Sequence, residues 1–252
     1  MNLPLVIAGV ASFSSVLLSD AAVTGQWDFD SGDLRATIGV PLRYMDGNEG
    51  ATAKGTVFNS TAMFGLPPIG GQVAKVMHFP QMTLATMGYV VTHGVEPNGE
   101  GEQVNQYTIL MDVLFPASSS GAFRSLLQTD NKGDADLYIS FLEGRGSIGS
   151  LGDYRGEGEL IAEHWHRVAV AVDVSALTMS KYIDGMLFGT QTLSATELDG
   201  RYSLGPTAML FADEDGDSQP VYLNSVQIRN YTMDESKIAA LGGPEARGIP
   251  VR

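Results

Sequence analysis

The run Trp165 to Val174 (WHRVAVAVDV) alternates between apolar and other residues almost without a break and places Val168, Val170 and Val172 on one face. A period of two belongs to a β-strand with one side in a core, and a helix cannot satisfy it. Further along, Lys181 to Phe188 holds Asp184-Gly185 between apolar runs, the preferred pair for a two-residue hairpin turn with positive φ. A chain carrying this unit is committed to an antiparallel sheet.

Other segments extend the same pattern. Val23 to Phe29 alternates and sets Trp27 and Phe29 on one face, and Asp30-Ser31-Gly32-Asp33 turns the chain after it. Gln106 to Phe115 is apolar on both faces in places and is stopped by Pro116, which predicts a central strand. Val73 to Phe79, Phe123 to Gln128, Leu137 to Phe141, Thr207 to Phe211 and Val221 to Arg229 are further strand candidates. Arg43 to Thr61 is expected to be a loop with weak strands, and Gly144 to Gly158 a hairpin or a pair of edge strands. Thr232 to Glu235 forms a capping box before Ile238, Ala239 and Leu241, and Gly242-Gly243-Pro244 ends that short helix. No fixed-period repeat is present. The expected class is all-β, two antiparallel sheets in a sandwich with a short C-terminal helix. The 252 residues are within reach of one such domain.

Residues 1–21 resemble a signal peptide: Leu3 to Leu18 is apolar and Ser19-Asp20-Ala21 supplies small residues for cleavage after Ala21. The domain is then expected over 22–244 and a tail or linker over 245–252. No later segment approaches the ~20 apolar residues of a membrane helix. The formal net charge of -14 repels phosphate backbones and argues against nucleic acid, while acidic loops attract divalent cations. With Cys 0, disulfides, thiolate metal sites and cysteine nucleophiles are excluded.

Several pieces occur in a telling order: Gly25-Gln-Trp-Asp-Phe29, Trp165-His166-Arg167-Val168 running to Asp173, Tyr182-Ile-Asp-Gly185, and Val221 to Ile228 followed by the capped helix into Leu241-Gly242-Gly243. Together they resemble a laminin-G-like jelly-roll domain of the concanavalin A-like lectin and glucanase superfamily. That resemblance implies two antiparallel sheets of about six or seven strands each, one concave, with ligands and often calcium at the rim. It further implies a metal shared between the amino-terminal strand and the penultimate strand, where Asn224 stands in place of the usual aspartate. Related domains bind carbohydrate or protein partners in secreted and surface proteins, and the superfamily also contains glucanases.

Calcium wants six to eight oxygens from a bendable loop. Asp213, Asp215 and Asp217 alternate around Gly216, although the later glutamate of an EF-hand loop is missing. Asp28, Asp30 and Asp33 are the amino-terminal partners for Asn224, and Asp130 to Asp136 is a third acidic segment. His164 and His166 share a strand face as a zinc pair would, without an evident third ligand, and His78 and His93 stand alone. Glu157 and Glu159 have the spacing of a hydrolase pair but lack the superfamily's E-x-D-x-E pattern. For a sugar, aromatic rings on a concave face are the signal, and Tyr89, Tyr107, Tyr138, Tyr154 and Tyr202 are the candidates. The resulting expectation is a secreted or cell-surface binding module without chemistry of its own, calcium-stabilised, for a glycan or a surface partner. The alternatives are a structural spacer of a larger protein and, below it, a diverged polysaccharide-active enzyme.

Overall fold

A computed structural model describes residues 21–119, 122–129, 137–142, 145–193, 197–216 and 218–251. The expected leader over 1–21 lies outside them but for Ala21, as does the acidic segment Asp130 to Asp136. The strands are β1 (Val23–Trp27), β2 (Arg43–Tyr44), β3 (Val57–Ser60), β4 (Lys75–His78), β5 (Tyr89–Val91), β6 (Gln106–Leu114) and β7 (Arg124–Gln128). They continue with β8 (Leu137–Leu142), β9 (Arg145–Gly149), β10 (His166–Asp173), β11 (Thr178–Ile183), β12 (Met186–Thr192), β13 (Ala208–Leu210) and β14 (Tyr222–Arg229). Two short helices, α1 (Ala51–Gly55) and α2 (Glu235–Leu241), complete them.

Two antiparallel sheets form a sandwich. The larger runs β12-β11-β10-β6-β14-β4-β3, with β1 also paired to β14, and the smaller runs β2-β5-β13-β7-β8-β9. The alternating strand lies where its pattern requires: β10 sits between β6 and β11, with Val168, Val170 and Val172 opposite Met111, Ile109 and Tyr107. These side chains join Trp27, Phe79, Leu126, Ile139, Leu210 and Val226 in one core between the sheets. The indole N–H of fully buried Trp27 donates to Val40 O at 3.0 Å. The β11–β12 hairpin turns at Asp184 and Gly185, both at positive φ (52° and 82°), as the Asp-Gly pair predicts.

Three local expectations are corrected. Within Arg43 to Thr61 the chain forms α1 as well as β2 and β3, because the Asp46 carboxylate accepts from Thr52 N (2.9 Å) and starts a turn. The helix α2 is capped by Asp234, whose side chain accepts from Lys237 N at 2.9 Å; Thr232 is unavailable because its hydroxyl donates to Val172 O at 2.7 Å. Among the described residues of the range 144–158, β9 is the one strand. The rest of that segment crosses from Gly146, bridged to Leu160, to Phe188 O, which accepts from Glu157 N at 2.7 Å, and closes the edge between the two sheets.

The outer face of the larger sheet is covered. Helix α2 and the C-terminal segment bury Met233, Ile238, Leu241 and Ile249 against Leu110, Ala169, Ala171 and Tyr182. Beside them runs a buried polar layer. Arg167 makes a two-pronged pair with Asp112 at 2.7 and 2.8 Å and donates a further bond to Leu241 O at 2.8 Å. Asn224 donates to Glu245 O (2.8 Å), Gln26 to Ile249 O (3.0 Å) and Arg229 to Pro250 O (2.9 Å). Residues 245–251, expected as a tail or linker, are therefore held to the sandwich by side chains of β1, β10 and β14.

Two histidines are expected to make the fold acid-sensitive. His93 is buried, accepts from Val95 N at Nδ1 (3.1 Å) and so presents Nε2–H to Gly205 O. Burial pushes both His93 and half-buried His78 below the ordinary value of 6.5. Below that pH the unfolded chain binds protons that the folded chain refuses, so this contribution is complete above 6.5 and lost as pH falls. Urea unfolding between pH 7 and pH 5 is expected to show falling stability, with a shallower fall in a His93→Gln variant.

Candidate functional site

The residues expected to hold a metal fall into two separate places. Asp28 is buried on the outer face of the larger sheet, where it accepts from Gln26 Nε2 (2.9 and 3.0 Å) and Ser225 Oγ (2.6 Å). Asn224, equally buried, spends its amide on the C-terminal segment. Asp30 is exposed; desolvation and the Asp28 charge push its carboxyl up, and Lys75 pulls it back. Asp33 is occupied by Ser31 Oγ and by Arg35. Asp213 follows β13 on the smaller sheet, buried and accepting from Tyr138 O–H at 2.7 Å, and Asp215 is exposed beside it. Asp217 lies outside the described residues. Among the described residues, no three His, Asp or Glu side chains come together as a metal shell. Of this expected pair, Asp28 is bonded to Gln26 and Ser225, and Asn224 bonds the C-terminal segment at Glu245 O.

The zinc pair and the hydrolase pair are also dispersed. His166 accepts from Ile161 N at Nε2 (3.0 Å) and directs Nδ1–H at Asp184 Oδ2 (2.7 Å), so both ring nitrogens are used, while His164 is exposed. Glu157 and Glu159 are exposed on the segment that closes the sandwich edge.

The outward face of the smaller sheet carries a different arrangement. Register pairs Tyr138 with Gly149 and Ser140 with Ser147, so these side chains, with Arg145, share the face away from the core. Gly149 is required there: a Cβ would stand 2.0 Å from Asp153 O and 2.9 Å from the Tyr154 ring, which lies over the strand. Phe123 stands at the head of β7 with its ring 5.8 Å from Tyr138 and 6.2 Å from Tyr154, and it is 44% exposed. The three rings form a cluster with Phe123 in contact with both tyrosines, Tyr154 itself being buried. At one end, Tyr138 meets Asp213, and Gln128 Nε2 donates to Glu214 Oε2 at 2.5 Å, which fastens the acidic loop to the sheet.

At the other end the cluster meets a pocket of about 150 Å³ lined by Arg145, Gly146, Ser147, Tyr154, Arg155, Gly156, Gly158 and Phe188. Arg145 is steadied by its bond to Gly158 O (2.8 Å), and Arg155 projects into solvent 3.6 Å from Asp153. Behind Phe188 the fully buried Lys181 ammonium donates to Asp153 O (3.1 Å). Burial pushes that amine below the usual lysine range, Asp153 pulls it up, and Arg155 lowers it further.

Of the five tyrosines expected as sugar platforms, Tyr138 and Tyr154 lie on this face. Tyr89, Tyr107 and Tyr202 are core residues whose hydroxyls meet Thr56, Tyr202 O and Ser150. Phe123, Arg145 and Arg155 were not singled out by sequence. A second cleft of about 270 Å³, between 92–97, 102–104 and 204–206, is mainly apolar and carries Glu96 and Glu102.

No protein-family model matches the chain, and no curated protein does. Solved structures do resemble it. Domain 4 of AbnA, a GH43 extracellular arabinanase from Geobacillus stearothermophilus, in complex with arabinotriose, superposes with a TM-score of 0.53 at 17% identity, over 89% of this chain and 100% of that one. The binding domain of Paraclostridial Mosquitocidal Protein 1 superposes with a TM-score of 0.53 at 12% identity, over 87% of this chain and 51% of that one. The botulinum neurotoxin serotype D binding domain gives 0.52 at 11% identity, over 87% and 50%. The chain thus spans the whole of the arabinanase domain and about half of each toxin binding domain. At these identities the likeness establishes the fold, an antiparallel β-sandwich shared with binding domains of otherwise different proteins.

Proposed function

We propose that this chain is a non-catalytic, secreted or cell-surface binding module of the laminin-G-like, concanavalin A-like jelly-roll type, which takes a glycan beside its six-stranded sheet. The observation that carries the reading is the aromatic cluster Phe123, Tyr138 and Tyr154 on the outward side of the smaller sheet, in which Phe123 is 44% exposed, Tyr138 is half-buried and Tyr154 is buried beneath them. Sugar C–H faces pack on aromatic rings while neighbouring carboxylates hold sugar hydroxyls, and half-buried Glu214 stands near the Tyr138 end. The likeness to a domain of an extracellular arabinanase described with arabinotriose supports the same direction.

A panel of plant and microbial oligosaccharides read by calorimetry tests it. Phe123→Ala is expected to weaken binding by about 3- to 10-fold, the scale of losing ~0.5–1.5 kcal/mol of ring contact, in a protein that circular dichroism shows to be folded. Absence of binding to every glycan would leave the spacer reading, which the covered face of the larger sheet favours.

Calcium enters this reading at the loop from Asp213 to Gly216, where Asp215 is exposed beside two anchored carboxylates. An ion that binds only the folded state raises stability by RT ln(1 + [L]/Kd). Millimolar calcium is expected to raise the melting temperature of the chelated protein by several degrees relative to magnesium. No difference would remove calcium and leave the glycan face intact.

A further inference from the structure

We propose that the pocket between β9 and the edge segment selects a sugar ring that carries an anionic group, a carboxylate or a sulfate ester. This rests on the glycan reading above and names the class of sugar it prefers. The pocket is lined by two guanidinium groups, Arg145 and Arg155, and among the described residues no Asp or Glu lines it. In a chain of net charge -14 that local composition runs against the whole. Glu157 and Glu159 flank Gly158 on the same segment, yet they are exposed and do not line the pocket. Asp153 is the carboxylate nearest Arg155, at 3.6 Å, a separation that leaves the planar fork of donors open to a better acceptor.

The shape fits one substituted ring at the end of a chain lying along the aromatic cluster. Tyr154 and Phe188 form the walls, and Gly146, Gly156 and Gly158 leave the floor without side chains. A guanidinium that receives a carboxylate or sulfate makes paired, charge-assisted hydrogen bonds, stronger than those of a neutral hydroxyl. Arg145 is already oriented by Gly158 O, so less side-chain freedom is lost when it binds. The protein's overall negative field repels such a ligand at long range, and at physiological salt screening over about 8 Å confines that repulsion. Recognition is therefore a contact effect, made at the two arginines.

The test compares three probes by calorimetry: an oligogalacturonate, a sulfated galactan oligosaccharide and a neutral galactan oligosaccharide. The wild type is expected to bind at least one anionic probe about 10-fold or more tighter than the neutral one, an advantage of ~1.4 kcal/mol. Arg145→Gln/Arg155→Gln is expected to erase that advantage, with the variant's fold checked by circular dichroism. The two anionic arms show which group is accepted. Equal binding of neutral and anionic probes, or an advantage that survives in the double variant, overturns the proposal and leaves the glycan reading standing. Binding of none of these probes, together with none on the wider panel, overturns both.

Discussion

Replacing Asp112 by alanine is expected to lower the unfolding free energy by about 3–5 kcal/mol, the effect of stranding a buried charge. Asp112 and Arg167 are 0% and 1% exposed, between the larger sheet and the C-terminal segment. Without the carboxylate, the guanidinium keeps Leu241 O at 2.8 Å and a long contact to Gly248 O at 3.5 Å, which do not compensate its charge. For a chain of this length the loss corresponds to a fall in melting temperature on the order of 10 °C.

The partner substitution behaves differently. Burial pushes the Asp112 carboxyl up, and the Arg167 bonds and charge pull it back. In Arg167→Met that counterweight is gone, and Asp112 takes up a proton to become neutral. A carboxyl raised in the folded state binds a proton the unfolded chain releases, so the stability of this variant should fall as pH rises above the ordinary aspartate value of 3.8. The double replacement Asp112→Leu/Arg167→Met should recover most of the loss, because a buried pair is often no more stabilising than apolar groups of the same volume. Urea unfolding at constant slope gives all three values. A cost below ~1 kcal/mol for Asp112→Ala would mean that water reaches this layer.

The backbone plan was legible because its signals are local and repeated. Val168, Val170 and Val172 alternate regardless of what lies opposite, and Asp184-Gly185 fixes a turn through its own φ preferences. The helix cap was misread by two residues because Thr232 and Asp234 are both good caps, and the choice depends on Val172 O, a neighbour distant in sequence. The same limit governs the site. Tyr89 and Tyr138 each stand on a strand, and nothing nearby in sequence tells that the first faces Thr56 and the second Asp213. Asp28 and Asn224 are expected as metal ligands, and the structure shows both already hydrogen-bonded. Acidic and amide side chains that can ligate an ion also accept and donate hydrogen bonds, and here Ser225, Gln26 and Glu245 O supply the partners. Phe123, Arg145 and Arg155 passed unnoticed because they lie beside breaks in the strand pattern, where periodicity carries no information about facing.

Substitutions in the C-terminal segment should behave as core substitutions. Ile249 is 1% exposed and packs with Leu110, Ala169, Ala171 and Ile238, so Ile249→Ala is expected to lower the unfolding free energy by about 2–5 kcal/mol. Gly248 supplies an independent test. Its φ of 85° disfavours any side chain, and a Cβ there would stand 2.1 Å from Asp28 Oδ1. Gly248→Ala therefore combines about 1–2 kcal/mol of backbone strain with displacement of the Asp28 carboxylate from Ser225. A flexible linker would respond to either change by less than ~0.5 kcal/mol, so denaturant unfolding separates the two descriptions clearly. The outcome also bears on ligand binding. If the segment is part of the core, the outer face of the larger sheet is closed by the chain's own end. Glycan affinity measured on a folded Ile249→Ala protein should then match the wild type, because Phe123, Tyr138 and Tyr154 stand on the opposite sheet.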